Sequence, residues 1–264
     1  MTTAGATTAG RTTAGRTAAD ITIAVIIVVK NGARTLRRAI ESVLGQSHPR
    51  VQLIIIDGAS TDGTLEIIAS YAARIHYSVS RADDGLYFAM NEALSVCTAN
   101  WCVFLGCDDM LLDSLHLVAA HMSDPDAVYY GRVARRTDGR LIAGRFSALR
   151  HVVNAMPHQA IFYPRSCYRE RYDTRYPILA DSALNIRLWG RGVPFRYLPF
   201  VIANFNDTGL SSRGDAAFEA DKARLLGDAF GPLHGLFWRV WFRLHLWRRH
   251  GLRAALSGRR PASR

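Results

Sequence analysis

The chain reads as an α/β protein on a mostly parallel, doubly wound sheet, completed by a smaller mixed region. Three observations predict this. Apolar runs rich in β-branched residues alternate with segments of helical apolar spacing between residues 21 and about 105. Acidic residues follow successive strands, at Asp57, at Asp83 and Asp84, and at Asp108 and Asp109. Beyond residue 110 the rhythm gives way to shorter strand patterns and a turn at Asp138-Gly139.

The elements follow in order. Residues 1–19 repeat a Thr-Thr-Ala-Gly unit, with no bulky apolar side chain beyond Met1, so the segment is expected to be disordered. Ile21–Val29 has the composition of a strand buried on both faces. Leu36, Ile40, Val43 and Leu44 recur at helical spacing before Gly45 and Pro49. Val51–Ile56 predicts a second buried strand, and Leu65, Ile67, Ile68 and Tyr71 a second helix. Ile75–Val79 predicts a third strand, about 85–97 a third helix, and Trp101–Leu105 a fourth strand. Further on, strands are expected at Val128–Gly131, Arg140–Phe146, Ala160–Tyr163 and Phe195–Phe200, with a helix over Asp181–Trp189.

The 264 residues can bury a substantial core, and the formal charge of +11 is carried almost wholly by arginine. From His234 onward there are eight arginines and no acidic residue, so much of the excess sits in one tail rather than along a groove. That distribution argues against nucleic acid as the partner. The cysteines, Cys97, Cys102, Cys107 and Cys167, form no CxxC pair, which disfavours a zinc site or a disulfide framework and suits a reducing cytoplasm. Ile23–Val29 is too short to span a bilayer, and no secretory signal is read.

The acidic pair closing Trp101-Cys102-Val103-Phe104-Leu105-Gly106-Cys107-Asp108-Asp109 carries the most chemistry. Adjacent carboxylates at a strand end repel unless a cation lies before them, and oxygen ligands of this kind suit Mn²⁺ or Mg²⁺ with a substrate phosphate. A solvated turn leading to a helix near Asp113 is the simpler alternative. In a parallel sheet, however, Asp57, Asp83 and Asp109 all lie along one edge, where such sheets bind ligands. A nucleotide- or phosphate-binding edge accounts for that coincidence.

Several segments together resemble family 2 glycosyltransferases, inverting enzymes of the glycosyltransferase-A fold. They are Val28-Val29-Lys30-Asn31-Gly32, Ile56-Asp57-Gly58-Ala59-Ser60-Thr61-Asp62-Gly63-Thr64 and Asp83-Asp84-Gly85-Leu86-Tyr87-Phe88-Ala89-Met90-Asn91. The likeness continues through Phe104–Asp109, Pro157-His158-Gln159-Ala160-Ile161-Phe162-Tyr163, Ile178-Leu179-Ala180-Asp181 and Gly209-Leu210-Ser211-Ser212. The resemblance implies a nucleotide-diphosphate-sugar donor, a divalent metal, and a glycan or lipid-linked acceptor of cell-surface polysaccharide or glycolipid assembly. It implies that Asp57 bonds the nucleotide base, that Asp83 lies in a second donor-binding loop, that Asp109 binds metal with Asp108 beside it, and that Asp181 is the base. His158 falls in a His-Gln pair that could meet the metal, the diphosphate or the acceptor, and Ser211 in a loop that could cover the diphosphate. Cys107 stands where a strict DxD motif has its first aspartate. Phe88, Glu92 and Ala183 also depart from common family residues.

On this reading residues 20–228 form the glycosyltransferase domain, with 20–110 the donor-binding half and 111–228 the acceptor and catalytic half. Residues 229–264 form a basic aromatic tail. Phe237, Val240, Trp241, Leu244 and Trp247 share one helical face of that tail, among arginines. An interfacial helix on the inner face of the cytoplasmic membrane fits this pattern, as does a helix packed on the domain. A nucleotidyltransferase would need a Gly-rich basic loop after the first strand, and Lys30-Asn31-Gly32-Ala33-Arg34 is a poor example. A non-enzymatic binder of anionic surfaces or nucleic acid is the remaining rival, motivated by charge.

Overall fold

The computed structural model describes residues 17–142, 144–147, 150, 155–207 and 214–241. Its strands are β1 (Ile23–Val29), β2 (Val51–Asp57), β3 (Tyr77–Ser80), β4 (Trp101–Gly106), β5 (Met110–Leu111), β6 (Val128–Arg135), β7 (Leu141–Ile142), β8 (Ile161–Pro164) and β9 (Phe195–Phe205). Its helices are α1 (Leu36–Leu44), α2 (Thr64–Ser70), α3 (Leu86–Val96), α4 (Leu115–Ala119), α5 (Ala180–Gly190) and α6 (Ala216–Phe230). A further helical stretch begins at 232 and is described as far as 241.

The sheet runs β3-β2-β1-β4-β8-β6-β9-β5, with β7 paired to β6. Strands β3, β2, β1 and β4 are mutually parallel, whereas β8 is antiparallel to both β4 and β6. Burial explains why the first half keeps its order. Along β1, Ala24 and Ile26 pack into the core on one face with α3, α5 and α6; Ile23, Val25, Ile27 and Val29 pack on the other with α1 and α4. Successive side chains point to opposite faces, so a strand apolar throughout must be covered twice. Helix α1 supplies one cover through Leu36, Ala39, Ile40 and Val43, at helical spacing.

Register then sets the functional edge. Val29 pairs with Asp57, Asp57 with Ser80, and Val28 with Gly106. The ends of four strands therefore coincide.

The second half departs from expectation in detail. The strand predicted over Arg140–Phe146 is confined to Leu141–Ile142, because its ladder with β6 holds only the Val133–Ile142 and Ala134–Leu141 pairs. The strand predicted to stop at Phe200 continues to Phe205. It continues because β6 pairs with it in parallel as far as Arg135–Phe205, while Met110 and Leu111, after Asp109, pair with Asn204 and Ala203 on its other edge. The helix foreseen near Asp113 begins at Leu115, and the Asp113 carboxylate instead accepts from the Ser47 backbone and hydroxyl.

Candidate functional site

A cleft of about 800 Å³ opens at the C-terminal ends of β1 and β4. The β1–α1 loop contributes Asn31, Arg34 and Thr35, and the β4–β5 turn contributes Cys107, Asp108 and Asp109. Helix α3 adds Tyr87, the segment before β8 adds His158 and Gln159, and the first turn of α5 adds Asp181. Arg136 and Asn206 close it from the ends of β6 and β9.

Asp109 is 3% exposed. Its Oδ2 accepts from Gln159 Nε2 at 2.9 Å and from the Gly106 amide at 3.2 Å, while Oδ1 accepts from the Asn206 amide at 2.7 Å. Burial pushes its carboxyl above the usual range, and neighbouring Asp108 adds to this; the Asn206, Gln159 and His158 contacts oppose it without cancelling it. Asp108 is half-buried; its Oδ2 accepts from Asn206 Nδ2 at 2.7 Å and its carbonyl from Arg136 at 3.0 Å. Asn206 thus bridges the pair through its backbone and its side chain.

These two carboxylates converge over Gly106. A Cβ built there would lie 2.5 Å from Asp109 Oδ2 and 3.0 Å from Asp108 Oδ1. Hard oxygen donors converging at a raised-pKa, half-dry position fit a divalent cation. Among the described residues no group of three or more His, Cys, Asp or Glu side chains gathers into a metal cluster. A divalent ion held at Asp109 would therefore need ligands beyond these carboxylates.

Asp181 lies on the opposite wall, 6% exposed. Its Oδ1 accepts from the Ser182 amide at 2.7 Å and the Tyr87 hydroxyl at 3.2 Å, and His158 Nδ1 stands 3.6 Å from Oδ2. Position in the first turn of α5 places the carboxylate where the helix dipole favours negative charge. Burial alone would lower the His158 pKa, but the Asp181, Asp109 and Asp108 carboxylates outweigh it and leave the imidazole raised. His158 is therefore the electrostatic link between the two acidic walls.

Other predicted residues stand elsewhere on the edge. Asp57 is fully buried and does not line this cleft; Oδ1 accepts from the Ser60 hydroxyl, and Oδ2 from the Ser60 amide and the Ser80 hydroxyl at 2.6 Å. The Ser60 hydroxyl in turn accepts from the Asn31 amide at 2.7 Å, tying β2 to the cleft-lining β1–α1 loop. Asp83 accepts from the Gly85 amide at 2.9 Å and packs beside Gly58, also outside the cleft. Ser211 and its neighbours Gly209, Leu210, Ser212 and Arg213 lie outside the described residues. Sequence reasoning missed Asn206, Arg136 and the Tyr87 hydroxyl. Tyr87 lies inside a quoted motif, but nothing in the sequence ties Asn206 or Arg136 to the aspartates.

The tail is docked on its inner side. Trp238 is 4% exposed, and Lys222 Nζ stands 3.8 Å from its ring centroid. A Cβ at Gly235 would strike the Ala223 carbonyl of α6, so glycine permits this close approach. On its outer side Leu233, Leu236, Phe237 and Val240 are exposed. Leu244 and Trp247, assigned from sequence to one face with Phe237, lie outside the described residues. No described helix is long and apolar enough to cross a membrane.

Likeness to solved structures defines the class. The fold superposes on S. aureus TarS with a TM-score of 0.65 at 16% identity, covering 78% of this chain and 39% of that one. TarS 1-349 in complex with UDP-GlcNAc gives 0.63 at 14% identity, over 81% of this chain and 69% of that one. The mannosyltransferase PcManGT from Pyrobaculum calidifontis, in complex with GDP-Man and Mn2+, gives 0.58 at 19% identity, over 79% and 62%. At these identities the likeness shows the fold, which is glycosyltransferase-A. The Glycosyl transferase family 2 model matches residues 24–183, and the chain belongs to that family of glycosyltransferases. A PGL/p-HBAD biosynthesis glycosyltransferase of Mycobacterium bovis (strain BCG / Pasteur 1173P2) is 34% identical over 197 residues, 70% of this chain and 77% of its own length.

Proposed function

We propose that this glycosyltransferase moves a sugar from a nucleotide-diphosphate donor to an acceptor hydroxyl with inversion, using Asp181 as base. The observation that carries the reading is the cleft itself, with Asp108 and Asp109 on one wall and Asp181 on the other. The donor diphosphate lies toward Asp109, between the cleft-lining guanidinium groups of Arg34 and Arg136. Asp109, with Asp108 beside it, would hold a divalent metal, whose positive charge when bound would favour departure of the diphosphate.

The protein's own residues do the rest. Asp181 accepts the proton of the acceptor hydroxyl as that oxygen attacks the anomeric carbon, and the bond from that carbon to the diphosphate breaks in line. Tyr87 and the Ser182 amide fix one oxygen of Asp181, which leaves Oδ2 directed toward His158 and the reacting hydroxyl. Asp83 and Asp57 are assigned to the nucleoside by family likeness. For Asp57, which is fully buried and bonded by the Ser60 and Ser80 hydroxyls, this requires those side chains to move aside.

The acceptor is a glycan on a lipid carrier. Support comes from the name of the M. bovis relative, which places that protein in PGL/p-HBAD biosynthesis, and from the tail. One side of the helix from 232 is sealed by Trp238 on Lys222, while Leu233, Leu236, Phe237 and Val240 remain outward ahead of an arginine-rich segment. That arrangement suits a peripheral helix on an anionic bilayer at the cytoplasmic face.

A thermal-shift screen of nucleotide sugars, with and without Mn²⁺, tests the donor side. Stabilisation by one donor only in the presence of metal is the expected outcome; no response to any nucleotide sugar would count against the assignment. Sedimentation with phosphatidylglycerol vesicles tests the tail, and binding that survives Leu236→Glu with Phe237→Glu would remove the membrane reading.

A further inference from the structure

We infer that Asp215 is a positioning residue that sets the Asp181 turn from the N-terminus of α6. The inference rests on Asp181 being the base. Asp215 is 3% exposed and caps α6, its Oδ1 accepting from the Phe218 amide at 3.1 Å. Its other oxygen leaves the helix altogether. Oδ2 accepts from the amides of Ile178 at 2.9 Å and Leu179 at 3.0 Å, the two residues that lead into α5.

The same peptide is gripped from the opposite side. The Tyr87 hydroxyl lies 2.7 Å from the Ile178 carbonyl and 3.2 Å from Asp181 Oδ1, its single proton directed chiefly at the nearer carbonyl and shared with the carboxylate. Leu179, the residue before α5, has no side-chain oxygen with which to cap it. The approach of α5 to the cleft is therefore fixed from outside, by Asp215 on the amide side and Tyr87 on the carbonyl side.

Capping by itself does not explain an aspartate here. Serine, threonine or asparagine serves an N-cap about as well, and each needs only one oxygen. A carboxylate taken out of water is costly unless both its oxygens are satisfied. Asp215 meets that condition with three backbone donors from two segments. The second oxygen has no role in α6; it holds the turn on which Asp181 stands. Displacement of a catalytic group by about 1 Å costs on the order of 100-fold in rate.

Asp215→Ser separates the two tasks. Serine retains an oxygen for the Phe218 amide but is too short to span to Ile178 and Leu179. Two measurements apply, one of them needing no substrate. Hydrogen–deuterium exchange should quicken at the amides of Ile178 and Leu179 while the first turn of α6 stays protected. Turnover is then followed as nucleoside diphosphate released from UDP-GlcNAc or GDP-mannose with Mn²⁺, whichever stabilises the wild-type protein. The expected result is a kcat lower by roughly 10- to 100-fold with unchanged donor affinity. Unchanged exchange at Ile178 and Leu179, wild-type kcat, or loss of donor affinity in step with kcat would each overturn the inference. Asp215→Ala, which removes cap and tether together, should also lower the melting temperature, and Asp215→Ser should recover most of that loss. Asp181→Asn measured alongside keeps the two readings apart. Full turnover in that variant removes the base assignment, and the exchange result still decides whether Asp215 holds the turn.

Discussion

The two walls of the cleft place their carboxylates by different means. On the side proposed to hold the donor, Asp108 and Asp109 follow the end of β4, which is paired in register with β1, so strand length and pairing locate their backbone. On the side proposed to meet the acceptor, Asp181 rides on a helix turn located by side chains of distant segments: Tyr87 of α3, Asp215 before α6 and His158 before β8. A position set by a sheet ladder is shared among many backbone bonds and resists single substitutions. One set by a few side-chain bonds does not. The acceptor wall should therefore be the more fragile of the two.

The sharpest break of this comparison is at the base. Asp181→Asn should lower turnover by about 10²–10⁴-fold while metal-dependent donor binding persists; a variant that still turns over at the wild-type rate rejects the role given to Asp181. Next in size is the carboxylate pair. Asp109→Ala should abolish the Mn²⁺ requirement of donor binding, measured by titration calorimetry, and Gly106→Ala should do much the same because its Cβ would occupy the space between the carboxylates. If Gly106→Ala binds donor and metal normally, the convergence of the two side chains is not what makes the site.

Asn206→Ala tests the bridge between the halves. The Asn206 amide persists in that variant, so only the side-chain bond to Asp108 is lost, and donor affinity should fall by roughly 10-fold, the lower end of the worth of one charge-assisted hydrogen bond. A loss as large as that of Asp109→Ala would show the donor wall to be as network-dependent as the acceptor wall.

The smallest effect concerns α6. Burial lowers the Lys222 pKa to about 8, with Glu219 opposing. In the unfolded chain the lysine titrates higher, so between about pH 8 and the ordinary lysine range the unfolded state holds more protons, and stability rises with pH there. The penalty is present in full below about pH 8. Lys222→Met should accordingly be the more stable protein at neutral pH, with the gap in melting temperature narrowing as the pH is raised. A gap independent of pH would mean that Lys222 titrates alike in the folded and unfolded chain, so that burial imposes no penalty on its charge.

Legibility followed the same division. The β1–β4 core was readable because a strand buried on both faces must be apolar throughout, and α1 announced its buried face by spacing alone. The extension of β9 to Phe205 was not, since it rests on a parallel ladder with β6 whose register shifts past Tyr130, and on a two-residue strand, Met110-Leu111, with no periodicity to read. That extension delivers Asn206 to Asp108 and Asp109, across 98 and 97 residues of chain. The tail face was half legible. Phe237 and Val240 do point outward, but Trp241, assigned by spacing to the same face, packs against the core and stacks on Trp238, the residue that docks the helix.

By itself the sequence determined the alternation of strands and helices, the single edge on which the acidic residues gather, and the family. Those follow from local patterns of apolar side chains and from short motifs, which survive without knowledge of neighbours. Only the tertiary structure decided that Asp57 is sealed by serines while Asp109 faces the cleft, and that Asp181 is aimed by Tyr87, His158 and Asp215. Those outcomes depend on hydrogen bonds between segments far apart in the chain, and such bonds leave no periodicity behind.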